Sequence, residues 1–381
     1  MILRIAIAMA LGVGAGFVLP EWAASVFSTF NGLFSGFLGF IIPLLIVGFV
    51  APAIAEVGRG AGRMLAVTAL LAYLMTFASG LLSFFTGAWI FPELIAGGSV
   101  SAATVAASGG MSPEPYFTVE MPPLFGVMTA LMLAFVMGLG MAFCGSVALR
   151  RGFGEFRDII TRTIMTVIIP LLPLYIFGIF MEMTMAGQVG PVLRTFVSII
   201  GVIFVMHVVL LVVQFCVAGA VAGKNPLKML RLMLPAYFTA LGTQSSAATI
   251  PVTLRRSEAT GVRPAVAGFV IPLCATIHMS GSTLKIVACA LALMIMQGMP
   301  WSVPMFAGFI AMLGITIVAA PGVPGGAIMA SLGLLSSMLG FSEADNGLMI
   351  ALYIAMDSFG TACNVTGDGA IALIVNRIFR K

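Results

Sequence analysis

Apolar windows of about 20 residues, the length a helix needs to cross a hydrocarbon core about 30 Å thick, begin at Ile2, Phe30, Met64, Leu124, Ile159, Val192, Ala265 and Leu348. Each predicts a membrane-spanning helix. Two further apolar stretches are interrupted. Leu232 to Leu254 holds Gly242, Thr243, Gln244, Ser245 and Ser246 at its centre, and Trp301 to Phe341 holds Pro-Gly-Val-Pro-Gly-Gly at positions 321–326 between two arms slightly short for a span. A lipid-facing helix would bury those central polar groups at a cost of several kcal/mol each. Both stretches are therefore expected to enter the membrane and return, as re-entrant hairpins at about 228–256 and 301–341. For the second, two short full crossings stand as the alternative. The fold class expected is an all-α membrane protein with eight transmembrane helices and two hairpins.

Composition removes the soluble classes. Residues of hydrophobic type make up 61% of the 381 positions and charged residues 8%, against roughly a quarter charged in soluble domains. No room is left for a soluble domain, and the longest polar stretch, Gly97 to Glu120, reads as an external loop. A net charge of +5 would suggest a nucleic-acid partner in a soluble chain. Here the basic residues flank apolar windows and report orientation. Arg4, Arg59 with Arg63, Arg150 with Arg151 and Arg157, and Lys224 with Lys228 and Arg231 mark every second loop as cytoplasmic. Glu21, then Glu93, Glu114 and Glu120, then Glu182 mark the external loops, with Arg194 the one basic exception.

That alternation breaks once. Arg255, Arg256 and Arg263 follow Arg231 after a single apolar segment, so the first hairpin is expected to open from the cytoplasm. Glu343 and Asp345 look external and Arg377, Arg380 and Lys381 internal, so the second is expected to enter from outside. Oppositely oriented hairpins suggest an inverted repeat, the arrangement in which transporters bind substrate and ions at broken helices near mid-membrane. The bland alternative makes these Gly and Pro residues packing and kink positions only. Met1 to Leu19 reads as a first helix rather than a signal peptide, and both termini are expected in the cytoplasm. The five cysteines, all in apolar segments, read as small core residues.

Ionisable groups inside a membrane need a reason. Asp357, Thr361, Asn364 and Asp368 fall at i, i+4, i+7 and i+11 of the last helix, which at about 100° per residue gives one polar face. In the preceding helix His278, Ser282 and Lys285 fall at i, i+4 and i+7, and Lys285 is the cation expected to face the two carboxylates. The run Pro272 to Ser282 contains Gly281 and several hydroxyls and suits an unwound segment that offers carbonyls to a cation. His207 reads as a satisfied packing group.

The runs Gln244 to Thr253 (QSSAATIPVT), Pro272 to Ser282 (PLCATIHMSGS), Pro321 to Gly326 (PGVPGG) and Asp357 to Asp368 (DSFGTACNVTGD) together resemble the dicarboxylate/amino acid:cation symporter family, which includes glutamate and aspartate transporters. The resemblance covers essentially the whole chain. It implies a homotrimer in which a mobile unit, here 64–96, 191–222 and 225–381, moves elevator-like past a scaffold, here 1–63 and 122–190. It makes Asp357 the partner of a substrate ammonium, with Thr361 and Asn364 around the bound amino acid. Ser245 and Ser246 form the tip that receives the substrate carboxylate, beside Ser282, and Gly322, Val323 and Gly325 form the tip of the external gate. Asn364 and Asp368, with Cys274, Thr276 and His278 of the unwound run, are the expected cation site. The chain departs from the family in two places: Gly360 stands where members with acidic substrates carry an Arg, and Ser280 stands where the family has an aspartate at a sodium site. The function expected is cation-coupled uptake of a small neutral amino acid, with sodium or a proton as the coupled ion, across the plasma membrane and with no bound cofactor. The runner-up is an acidic substrate clamped by Lys285. A tethered cation replacing a lost sodium is the preferred role for Lys285. A channel without turnover and an enzyme are the less favoured classes.

Overall fold

In lipid every backbone N–H and C=O must find its partner within the segment, which leaves the helix as the natural fold for uninterrupted apolar windows. The computed structural model describes residues 2–57, 63–96, 113–187, 189–318 and 325–379, and these hold helices and connections with no strand. Gly322 and Val323, expected at the gate, lie outside the described residues. The first helices are α1 (Ile2–Val18), α2 (Glu21–Val57) and α3 (Arg63–Ala96). At about 1.5 Å per residue, the 37 residues of α2 and the 34 of α3 exceed what a perpendicular crossing needs.

α4 (Val127–Cys144) ends on Gly145, whose φ of 67° only glycine adopts freely. α5 (Val147–Thr163) then occupies the stretch around Arg150, Arg151 and Arg157, which was expected to be loop. It is helical because Ser146 Oγ accepts from Leu149 N at 3.3 Å as its cap, and Arg151 pairs with Glu155 one turn on at 3.0 Å. A π-helical stretch, Ile164–Ile168, joins it to α6 (Ile169–Met185). The widened turn lies just before Pro170, which has no N–H to donate. α1 packs along α6, and α2 lies against α4, α5 and α6.

After α7 (Val189–Ala222), the first interrupted stretch folds as α8 (Pro226–Thr243) and α9 (Ser246–Ala259), which pack on each other. The turn is two residues long. Gln244 takes the left-handed conformation (φ 55°), and Ser245 caps α9 by accepting from Ala248 N at 3.2 Å. Next come α10 (Pro264–Ile277) and α11 (Ser280–Met296), separated by His278 and Met279 in non-helical conformations. α12 (Val303–Val318) and α13 (Gly326–Leu339) also pack on each other. With 16 and 14 residues they reach about 24 and 21 Å, less than a hydrocarbon core. α14 (Glu343–Ala355) and α15 (Asp357–Ile378) replace the single straight final helix that was expected, meeting at a 62° bend on Met356. No proline lies at the bend; Met356 sits at φ −110°, ψ 10°, in the sparsely used bridge region.

Six helices among the described residues are long and apolar enough to cross a membrane, seven if the bent pair is one span. α1, at 17 residues, is shorter. Large apolar side chains such as Phe17, Trp89, Phe143 and Val205 point outward, as a lipid solvent allows. By contrast, nearly all of α11 and most of α15 are buried. Lys285, Asp357 and Asp368 sit on these two innermost helices and face protein rather than lipid.

Candidate functional site

The two interrupted stretches, the break between α10 and α11 and the bend before α15 converge on one cavity of about 80 Å³. The first hairpin tip contributes Gln244, Ser245 and Ser246, and the end of α10 contributes Ala275 and Thr276. Met279 and Ser282 line it from the start of α11, Ala327 from α13 and Tyr353 from α14. Asp357, Thr361 and Asn364 complete it from α15. Seven of the expected site residues therefore meet at one wall: Ser245, Ser246, Thr276, Ser282, Asp357, Thr361 and Asn364.

The wall is held by hydrogen bonds across the helix break. α11 begins without a capping side chain of its own, since Met279 has none to offer. Asn364 supplies it from α15: its Oδ1 accepts from Gly281 N at 2.7 Å and Ser282 N at 3.3 Å, two donors a helix start leaves unpaired. Its Nδ2 donates to Ser282 Oγ at 3.1 Å, which also accepts from Tyr353 OH at 3.1 Å. From α7, Gln214 Nε2 donates to Ser280 Oγ at 3.0 Å, and His207 Nε2 lies 3.1 Å from Gly281 O. His207 is thus a packing group with a role at the broken helix.

Three expected site residues stand just behind the cavity. Lys285 Nζ is 2.9 Å from Asp357 Oδ1, with the lysine side chain fully buried and the aspartate 5% exposed. Nζ also lies 3.4 Å from the centre of the Tyr353 ring and 3.5 Å from the carbonyls of Tyr353 and Met356, which the bend turns toward it. Gly325, at φ 79° ahead of α13, donates its N–H to Asp357 Oδ2 at 2.9 Å. Gly360 leaves the space that Lys285 fills, since a Cβ there would lie 2.8 Å from Nζ.

The remaining candidates lie apart. His278 Nδ1 is 2.9 Å from Asp368 Oδ1, both side chains buried. Eleven residues of α15 separate Asp368 from Asp357, about 16 Å of helix rise. Two sequence expectations change here. His278, Ser282 and Lys285 do not share one helical face, because His278 sits in the break and turns to Asp368 while Lys285 turns to Asp357. Lys285 is also not the sole partner for the two carboxylates, since His278 serves the second. Cys274 is buried among apolar residues of α8, α10 and α15, and its carbonyl accepts from His278 N at 2.9 Å. Among the described residues no three His, Cys, Asp or Glu side chains converge on one metal position.

Tyr353, Gln244, Met279, Gln214 and Ala327 were not among the site residues expected from sequence. Tyr353 lies inside the apolar run LMIALYIAM. The available signal was its place one turn before Asp357.

Comparison with known proteins gives the chain's relatives. Serine/threonine transporters SstT from three strains of Streptococcus thermophilus (CNRZ 1066, LMD-9 and LMG 18311) are each 29% identical to it over 383 aligned positions, covering 97% of this chain and 93% of theirs. Residues 1–378 match the sodium:dicarboxylate symporter family, and with the match running through every element that builds the cavity, the chain belongs to that family.

Proposed function

We propose that this integral membrane protein is a secondary symporter that couples sodium entry to uptake of a small neutral amino acid of the serine, threonine or alanine type. The observation that carries the reading is the cavity wall. Asp357 is the one charged side chain among its described lining residues, and Ser245, Ser246, Ser282 and Thr361 place hydroxyls around it. A carboxylate takes an ammonium, hydroxyls take a polar or small side chain, and no guanidinium is present to hold a second carboxylate. The similar transporters are named for serine and threonine, which supports the same class. The acidic-substrate reading has less support, because Lys285 turns to Asp357 and does not line the cavity.

The remainder of the proposal follows the family architecture: eight spans, two re-entrant hairpins with the second as external gate, a homotrimer in the plasma membrane with cytoplasmic termini, and a mobile unit moving past a scaffold. Sodium is cargo here, and Asp368 and Asn364 with backbone carbonyls at Cys274, Thr276 and His278, where α10 ends rather than along a longer unwound run, supply its oxygens.

The test is uptake of radiolabelled amino acids into proteoliposomes under separately imposed sodium and proton gradients. Serine, threonine or alanine should accumulate only with a sodium gradient. Asp357→Asn should weaken substrate binding at least tenfold, since a charge-assisted hydrogen bond is worth about 1.5–3 kcal/mol. Unchanged affinity in that variant would mean the amino group is not read by Asp357.

A further inference from the structure

Both oxygens of Asp357 are already engaged, Oδ1 by Lys285 and Oδ2 by the backbone of Gly325. The lysine reaches the carboxylate from the α11 side, where Gly360 leaves it room, whereas a substrate would arrive through the cavity that Asp357 and Tyr353 line. The two approaches converge on one acceptor. Lys285 has partners besides Oδ1: the Tyr353 ring and the carbonyls of Tyr353 and Met356 already lie within 3.5 Å of its ammonium, and a cation over an aromatic face with carbonyl acceptors is a favourable buried position.

We propose that Lys285 is a resident counter-ion of Asp357 that trades places with the substrate ammonium. The step rests on the reading that Asp357 receives that ammonium. When substrate binds, its ammonium takes Oδ1 and Lys285 withdraws to the Tyr353 ring and the two carbonyls; when substrate leaves, Lys285 returns. A buried carboxylate without a partner is strongly unfavourable, so a carrier lacking this lysine would have a stable site only with substrate in place. With Lys285 present the carboxylate is neutralised in both halves of the cycle, and Gly325 keeps its hold on Oδ2 in both. A neutralised site that holds no amino acid is what net transport requires for the return step and exchange does not.

The proposal separates two activities that a structural lysine would lower together. In proteoliposomes containing the full-length carrier, Lys285→Met should keep L-serine exchange within about twofold of the unsubstituted protein and lose net uptake about tenfold or more, while binding L-serine more tightly because the competing ammonium is gone. Net uptake that survives Lys285→Met, or exchange and net uptake falling in equal proportion, would overturn it. A second measurement does not depend on the substrate. In detergent, Asp357→Asn strands a buried ammonium and should lower the melting temperature, and adding Lys285→Met should restore it; additive losses in that cycle would refute the pairing. Loss of the double variant from the membrane would do the same. Unsubstituted vesicles indifferent to serine, threonine and alanine would instead remove the substrate reading, and the exchange step with it.

Discussion

A side chain at position 360 and the ammonium of Lys285 compete for one volume. A Cβ on residue 360 would lie 2.8 Å from Nζ and 2.9 Å from Cε of Lys285, inside van der Waals contact, so the end of the lysine must shift. Gly360→Ala should therefore push Lys285 off Asp357. The expected loss is about 1–3 kcal/mol, as for other overpacked interiors, even though alanine favours helix over glycine by about 1 kcal/mol. Melting of the purified protein, with and without Lys285→Ala, decides the matter: in that background, with the atoms that meet the new Cβ removed, the alanine at 360 should be neutral or stabilising. A loss that persists there would place the conflict elsewhere on α15. The absence of an Arg at this position and the presence of a lysine one helix away are one arrangement, because only a residue without a side chain lets α15 accept the lysine.

Among the elements, the two-residue turn between α8 and α9 asks the most of its sequence. Gln244 is the one non-glycine residue with positive φ among the described residues, and a side chain in that conformation costs roughly 1–2 kcal/mol. Replacing it tests whether the turn is fixed by its neighbours. Gln244→Gly should raise stability by up to about 1 kcal/mol, and Gln244→Val should lower it by about 1–2 kcal/mol because a β-branched side chain fits this region worst. Chemical denaturation or thermal melting reads both, and equal stability of the two variants would show that the turn relaxes. The Thr243 to Thr249 hydroxyl contact at 3.0 Å and the Ser245 cap hold the geometry from either side. That is why Gln244, Ser245 and the first residue of α9, Ser246, can reach the cavity at the tip of a short helical pair.

For the whole molecule, the disposition of the two short helical pairs in the bilayer is what the proposed mechanism needs and what chemistry can check. In a background with the five cysteines replaced, single cysteines at Lys228 and Arg255, near the outer ends of α8 and α9, should react with a membrane-impermeant thiol reagent from one side, the cytoplasmic one. Cysteines at Ser302 and Glu343, beside α12 and α13, should react from the opposite side. Labelling of Lys228→Cys and Arg255→Cys from different sides would make α8 and α9 crossings, and the polar tip at 242–246 would then need another explanation.

Much of this protein was legible in the order of its residues, for a physical reason. Apolar windows, interrupted windows and flanking charges are sums over neighbouring positions, and lipid enforces them locally, because a spanning segment must satisfy its own backbone. The polar face Asp357–Thr361–Asn364–Asp368 was legible too, since helix geometry alone sets it. Lys285 was expected to face both carboxylates, but which carboxylate it takes, and that His278 takes the other, were not legible. Lys285 and Asp357 are 72 residues apart, and His278 and Asp368 are 90 apart; the pairing depends on where α10 breaks and where α14 bends. An unbroken helix would have put His278 beside Lys285 on one face, and a straight final helix would have left Tyr353 looking like core. The breaks depend on bonds from other segments, such as Asn364 capping α11. Local patterning thus accounts for the spans and the polar face of α15, whereas the choice of partner for each buried charge belongs to long-range packing, where one acceptor can be reached from several elements and only their final approach selects among them.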